Sequence, residues 1–337
     1  MRIKSITISG LRSFGPEPVT LELGPRTVLI GPHGAGKSTV IMALRLLSQS
    51  ALRPSGQIAV WYNCQPVIEK GRDVHLAATL AGNDAGIESV YEFVISERDS
   101  PNPYLVKESI TKRTRNETAV HDICSHDKSQ RDRARGDSSI SAELKALIHV
   151  SKYDVSQSPI EAIVVNDGDD RLLALVDYEF HQVHSYVEFC RVPMAGYFYP
   201  GVKYADGSSR RIEDLGTGLR NYLHVATFLS KAFMSSRNDV LLIEEPDAGL
   251  HPDMIHRLAD LIKRASDFSQ IIMTTNNPGM LSEFSETPED VVVVERPFDY
   301  TELKRLERAP LEHWLKDYGL GHAWESGAIG GRMDAHG

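Results

Sequence analysis

Eight consecutive residues constrain this chain more than any others: Gly31-Pro32-His33-Gly34-Ala35-Gly36-Lys37-Ser38. They follow the apolar run Thr27-Val28-Leu29-Ile30 and precede a segment whose apolar positions Val40, Ile41, Ala43, Leu44 and Leu47 recur at helical spacing. The run before them has no polar face, which predicts a strand buried on both sides. A glycine-rich loop ending in Lys-Ser between such a strand and such a helix predicts a cradle for phosphate groups. Gly31, Gly34 and Gly36 let the backbone turn its N–H groups inward, where a Cβ would obstruct. The helix opening at Lys37 and Ser38 points the positive end of its dipole at the same place. Lys37 is expected to reach the β- and γ-phosphates of a nucleoside triphosphate, taken as ATP, and Ser38 to ligate Mg²⁺. Pro32, His33, Ala35 and Thr39 complete the expected nucleotide-binding set.

The surrounding pattern agrees with such a loop. Ile3, Ile6 and Ile8, then Val19 to Leu23, then Thr27 to Ile30 read as three short strands. Residues 73 to 113 hold further strand-like stretches, among them Val90 to Ile95. From about 114 to 140 the chain turns polar and charged and reads as a loop or insertion. A mixed region to about 200 follows, least readable from Arg171 to Phe189, and order is expected to resume after Gly207. A helix from Leu219 to about Met234 leads into the apolar strand Val240 to Ile243. Pro252 opens another helix with Met254, Leu258, Leu261 and Ile262 on one face. Ile271 to Met273 and Val291 to Val294 are two more apolar runs. Strands alternating with helices predict a largely parallel α/β sheet.

Composition narrows the class of protein. In 337 residues, 41% are hydrophobic and 25% charged, enough for a sizeable core. The net charge of −9 argues against a generally basic nucleic-acid coat, although a local groove remains compatible with it. Cys64, Cys124 and Cys190 are odd in number and widely spaced, which speaks against a disulfide framework and for a reducing cytoplasm. The first residues lack a signal-peptide core, and no stretch reaches membrane-spanning length, so no membrane role is expected.

A second constellation is Asp239-Val240-Leu241-Leu242-Ile243-Glu244-Glu245-Pro246-Asp247-Ala248-Gly249-Leu250-His251-Pro252. An apolar strand that delivers two adjacent carboxylates to its end is what metal-assisted phosphoanhydride hydrolysis requires. Glu244 is assigned to the magnesium side and Glu245 to the attacking water.

The run Glu244 to Pro252 resembles the Walker B and D-loop of ABC-type ATPases of the RecF, SMC and OLD (overcoming lysogenisation defect) group. Ile6-Thr7-Ile8-Ser9-Gly10-Leu11-Arg12-Ser13-Phe14 is similar to their opening strand and the turn whose arginine, here Arg12, approaches the nucleotide. Asp214-Leu215-Gly216-Thr217-Gly218-Leu219-Arg220 stands where their signature motif falls, and Thr274-Thr275-Asn276-Asn277-Pro278 looks like their switch. The tail Gly319 to Gly331 resembles the end of stand-alone ATPases of this kind, many found in bacterial defence against phage. The resemblance covers roughly 1 to 50 and 205 to 331. It implies an α/β P-loop NTPase of ABC-ATPase, RecF/SMC head-like type, with a mixed sheet, flanking helices and a small insertion lobe. One domain over 1–331, a variable lobe at about 114–205 and a tail at 332–337 are expected.

The resemblance also implies a homodimer, or a higher oligomer, closed head-to-head on ATP. Gly216, Thr217 and Gly218 of one subunit would then complete the site built on Lys37, Ser38, Glu244 and Glu245 of the other. Three positions depart from the pattern. Glu244 replaces the usual aspartate, Gly216 replaces the signature serine with Thr217 beside it, and Asn276 replaces the switch histidine. An amide at 276 hydrogen-bonds but cannot carry a proton, which points to slow turnover. The chain shows no appended nuclease segment, so a separate nuclease or toxin is the expected effector partner, acting on nucleic acid. A non-hydrolysing scaffold or sensor is the alternative, and a transporter subunit a more distant one. The basic clusters at 112–115, 131–135 and Arg210-Arg211 read as solvated charge or phosphate contacts. His121, Cys124 and His126 lack a second ligand pair for zinc.

Overall fold

The computed structural model describes residues 2–52, 73–81, 87–96, 104–114, 118–122, 150–152, 170–234 and 239–331. Its internal contacts divide the chain into two compact units. The first comprises Met1–Val150, Val291–Leu306 and Gly330–Gly337; the second comprises Ser151–Asp290 and Glu307–Ile329.

In the first unit, β1 (Arg2–Ser9) pairs antiparallel with β2 (Val19–Glu22) and with β4 (Asp73–Ala81). The sheet continues antiparallel through β5 (Glu88–Ser96), β6 (Tyr104–Arg113) and β7 (Thr118–Asp122), in the order β2-β1-β4-β5-β6-β7. The alternation of burial from Glu88 to Ile95 in β5 shows one face packed and the other half open, as an antiparallel sheet permits. β3 (Arg26–Ile30) belongs to a different sheet. It lies parallel to β14 (Val291–Glu295), which pairs antiparallel with β15 (Glu302–Arg305), so parallel and antiparallel pairings meet on one strand. Residues 27–30 and 291–294 are buried throughout, as the apolar runs Val28 to Ile30 and Val291 to Val294 require. Helix α1 (Lys37–Leu52) leaves the end of β3 and buries Val40, Ile41, Ala43, Leu44 and Leu47. Its far end meets the antiparallel sheet through Ser50, to which the buried Tyr91 hydroxyl lies at 2.9 Å, with Glu108 at 2.7 Å on the other side.

In the second unit, β12 (Val240–Glu244) runs parallel to β13 (Gln270–Thr274), with Glu244 opposite Thr274 at the last rung. Helices α2 (Asp170–His181), α3 (Thr217–Met234) and α4 (Pro252–Ala265) belong to this unit. α3 buries the nine consecutive residues Tyr222 to Ser230, among them His224, Thr227 and Ser230, and also Ala232. Thr227 resolves part of that polarity by donating to the Leu223 carbonyl. α4 starts at Pro252 with His251 as its cap, and its buried stripe is Ile255, Leu258, Ala259, Leu261, Ile262 and Ala265, with Met254 only half-buried. Arg264 of α4 grips Glu179 of α2 through two bonds of 2.9 and 2.6 Å, and Glu179 is 3% exposed. Such a bidentate pair fixes direction as well as distance. A three-stranded meander, β9 (Val187–Met194), β10 (Tyr197–Tyr204) and β11 (Ser209–Arg211), packs β9 on α2. The short helix α5 (Pro278–Ser282) packs on α7 (Gly319–Glu325), which follows α6 (Arg308–Asp317).

Three expectations need correction. The sheet formed by β1, β2 and β4 to β7 is antiparallel, so the fold is not largely parallel; alternation of strands and helices holds only from β12 onward. Order resumes well before Gly207, because residues 170–204 already form α2, β9 and β10. Residues 118–122 form a strand inside the stretch read as polar loop. The rest of 114–140 lies almost wholly outside the described residues, as do the 131–135 cluster, Cys124 and His126. Arg210 and Arg211 stand on β11 with their guanidinium groups over the Tyr204 and Tyr199 rings. No helix among the described residues is long and apolar enough to cross a membrane.

Candidate functional site

The expected site residues fall on both units and are taken unit by unit. In the first, the loop after β3 has the form its sequence demands. Gly31 has φ +146°, and a Cβ there would lie 2.0 Å from the Val294 carbonyl oxygen of the neighbouring strand. Only glycine fits that approach. Gly34 and Gly36 also have positive φ. Between them Ala35 is buried, and its N–H donates to the Pro32 carbonyl at 3.3 Å. His33 and Ser38 are exposed, whereas Lys37 and Thr39 are buried. The Lys37 ammonium donates to the Gly31 carbonyl at 2.6 Å and the Pro32 carbonyl at 3.0 Å. It therefore sits inside the turn of the loop. The first turn of α1 carries no acidic residue, so nothing there opposes an anion at the helix N-terminus.

A clamp absent from the sequence reading holds this loop. Thr301, between β14 and β15, is 1% exposed and donates through Oγ1 to the Ala35 carbonyl at 2.7 Å. The same oxygen lies 2.7 Å from Ser13 Oγ, and the Thr301 N–H donates to the Ser13 carbonyl at 2.8 Å. One threonine thus joins the phosphate loop to the Gly10–Gly15 turn, the turn that carries Arg12. That turn closes through Gly10 N–H to the Gly15 carbonyl at 2.7 Å and is anchored by the fully buried Phe14. Arg12 stands at its tip, exposed, with φ +49°. A non-glycine residue there stores strain, a common property of residues that present a side chain to a ligand. Its guanidinium has no hydrogen bond or ion pair among the described residues.

In the second unit the chain leaves β12 through Glu244, half-buried, and Glu245, exposed. Glu245 has φ +45°. Its N–H donates to the Thr274 carbonyl at 3.0 Å and reaches Thr274 Oγ1 at 3.1 Å, and its Oε1 accepts from Asn276 Nδ2 at 3.0 Å. The two residues expected to act in hydrolysis, Glu245 and Asn276, are thus in direct contact. Glu245, Asp247, Ala248, Gly249, Asn276, Asn277 and Pro278 line one cleft of about 410 Å³. Asp247 is 5% exposed; its Oδ2 accepts from the Thr275 hydroxyl at 2.8 Å, while Oδ1 is buried with no partner among the described residues. Burial pushes the Asp247 carboxyl above its ordinary range, against the opposing effect of the Thr275 hydrogen bond.

Gly216 immediately precedes α3, and Thr217 and Gly218 form its start, two residues earlier than the periodicity suggests. Gly216 and Thr217 are exposed, and the first turn of α3 carries no acidic residue. Gly218 faces the turn after β12: a Cβ on it would lie 2.3 Å from the Gly249 carbonyl oxygen. Asn221, one turn further, donates its amide to the Ala248 carbonyl at 3.0 Å and the Pro246 carbonyl at 3.3 Å. The signature segment and the carboxylate turn are therefore tied together within this unit. Among the described residues no group of three or more His, Cys, Asp or Glu could hold a metal by itself. Mg²⁺ bound largely through phosphate oxygens needs no such cage; the Ser38 hydroxyl on the first unit and the Glu244 carboxylate on the second are each hard oxygen donors of the kind it favours.

Solved structures share this architecture. An SMC head bound to the C-winged helix domain of ScpA is similar over 92% of this chain and 99% of its own, with TM-score 0.59 and 17% identity. The SMC head domain from Thermotoga maritima covers 91% and 100%, with TM-score 0.53 and 15% identity. An SMC head with an extended coiled coil, bound to the C-terminal domain of ScpA and derived from Pyrococcus furiosus, covers 94% and 98%, with TM-score 0.61 and 13% identity. The fold is that of a P-loop ATPase of the ABC, SMC-head-like type. Residues 26–282 match the family described as "AAA domain, putative AbiEii toxin, Type IV TA system", and the chain belongs to that family.

Proposed function

We propose that the protein binds ATP with Mg²⁺ and hydrolyses it slowly, closing a head-to-head dimer that gates a separate effector. The observation that carries the hydrolytic reading is the 3.0 Å bond from Asn276 Nδ2 to Glu245 Oε1. It orients a carboxylate at the end of a buried strand, where a general base for water is needed. Lys37 and the loop N–H groups bind the phosphates, the exposed Arg12 guanidinium adds positive charge to that task, and Ser38 and Glu244 are the residues that would ligate Mg²⁺. When bound, the metal neutralises charge that develops on the phosphate oxygens. The exposed N-terminus of α3 at Gly216 to Gly218 offers a second anion site, suited to the γ-phosphate held by another copy.

The effector is a nuclease or toxin acting on nucleic acid, in anti-phage defence or in DNA repair and recombination. The family description, which names a putative toxin of a toxin–antitoxin system, supports the link to a toxin. Two of the similar SMC heads carry parts of ScpA, which supports a partner protein docked on a head of this fold.

Steady-state hydrolysis and nucleotide binding test the reading. Lys37→Ala should abolish ATP binding. Glu245→Gln should bind ATP, lose turnover by about a hundredfold or more, and accumulate an ATP-dependent dimer. Asn276 also supports a second reading, an ATP-gated scaffold without turnover, because its amide cannot relay a proton. A wild-type rate no higher than that of Lys37→Ala, with ATP-dependent dimerisation retained, selects the scaffold.

A further inference from the structure

We propose that Asp247 is a positioning residue for hydrolysis: through the Thr275 hydroxyl it fixes the segment that aims Asn276 at Glu245. The inference rests on the hydrolytic reading above and adds a residue that neither the motif nor the chemistry of the two carboxylates requires.

The parallel ladder between β12 and β13 ends at Glu244 opposite Thr274. Past that rung no strand pairing holds the two chains in register, yet the contact between Glu245 and Asn276 lies beyond it. Two tethers take over. One is the Glu245 N–H on the Thr274 carbonyl at 3.0 Å. The other is the Thr275 hydroxyl on Asp247 Oδ2 at 2.8 Å, between a threonine that is wholly buried and an aspartate that is nearly so. The Thr275 oxygen also accepts the Asn277 N–H at 3.0 Å, so the residues on both sides of Asn276 are held by one hydroxyl and its carboxylate. Asn276 sits between these tethers, and its Oδ1 is buried without a partner among the described residues. With one hydrogen bond of its own, its amide takes the direction that the backbone at 275 and 277 imposes.

The chemistry of Asp247 argues that the strap does more than fill space. One of its oxygens is buried without a partner at hydrogen-bond geometry among the described residues, although the Asn277 side chain adds a favourable contact to the carboxylate beside that of Thr275. A carboxylate in that condition lowers stability, and an apolar residue of similar size would be the cheaper way to pack the turn. What an apolar residue cannot supply is the acceptor for Thr275. The same turn is held from its other side by Asn221, so loss of the strap frees the switch segment rather than the whole turn.

Steady-state ATPase and fluorescent-nucleotide binding on the full chain test this with Asp247→Ala, Asp247→Asn, Thr275→Val and Thr275→Ser. Breaking the strap by Asp247→Ala or Thr275→Val should lower kcat about tenfold while nucleotide affinity changes less than about threefold. Asp247→Asn and Thr275→Ser keep an acceptor and a hydroxyl and should retain most of the rate. The Asp247→Ala, Thr275→Val double variant should be no slower than either single one, since both remove the same bond. An active wild type matched by Asp247→Ala overturns this inference alone. Parallel loss of affinity and kcat, or an Asp247→Asn variant as slow as Asp247→Ala, also overturns it. A wild type no faster than Lys37→Ala removes the hydrolytic reading and this inference together.

Discussion

The phosphate loop after β3 and the carboxylate turn after β12 solve the same problem in opposite ways. Each leaves a strand buried along its length and must bend sharply to present polar groups. The loop bends at Gly31, Gly34 and Gly36, which reach positive φ without a side-chain penalty. The turn bends at Glu245, which takes φ +45° with its side chain in place. There the cost is met by the bond that the Glu245 N–H donates to Thr274 and the bond its carboxylate accepts from Asn276. A glycine loop is specified where it stands, whereas a strained glutamate is specified by residues some thirty positions away. The first can be read from eight letters; the second needs the fold.

Substitutions can break this contrast. The largest effect is expected at Gly31, where alanine adds both left-handed strain and a carbonyl 2.0 Å away. Gly31→Ala should destabilise the protein by about 3 kcal/mol or more. Gly34→Ala meets no atom within 4 Å and should cost only about 1 kcal/mol, from backbone conformation alone. Denaturant unfolding of the pair separates crowding from strain, and equal losses would show that the loop does not depend on the Val294 approach.

At the turn, Glu245→Gly and Glu245→Ala both remove the carboxylate, but only glycine relieves the positive φ. The glycine variant should be the more stable by about 1 kcal/mol. An alanine variant of equal or greater stability would mean that the turn relaxes away from φ +45° once the Asn276 bond is gone.

The smallest effect concerns pH. A carboxyl whose pKa is raised on folding binds more protons folded than unfolded between the two values, so stability falls as pH rises through that window. For Asp247 the penalty is absent below its ordinary value of 3.8 and grows as pH rises above it. Asp247→Asn removes the penalty, so its stability relative to wild type should improve as pH rises from about 4. A difference that stays flat over that range would place the Asp247 pKa near its ordinary value.

The legible parts of the molecule were those written locally. β3, β12, β13 and β14 are short apolar runs, and the phosphate loop carries its own geometry. α2 was illegible although Leu172, Val176 and Phe180 recur at helical spacing, because buried Glu179 interrupts the apolar stripe and makes sense only with Arg264 opposite. The antiparallel sheet was hidden for another reason. Its strands read correctly, but which strands pair is a property of chain topology that alternation cannot express. At the candidate site, Glu245 and Asn276 were found by pattern, while Thr301 was not. A lone threonine in a polar turn has no signal until Ser13 and Ala35 are brought to it.

Thr301 also sets an order of events. Ala35 and its clamp are separated by 266 positions, and β3 needs β14 as its parallel neighbour within the same unit. During synthesis the residues of the phosphate loop leave the ribosome early, but the strand and hydroxyl that fix them arrive only near residue 300. A nascent chain halted before β14 has the full motif and lacks β14 as a neighbour of β3 and the clamp on Ala35. Competence to grip a nucleotide is therefore a late event in the life of each molecule, one that waits for residues 291 to 301 to be made.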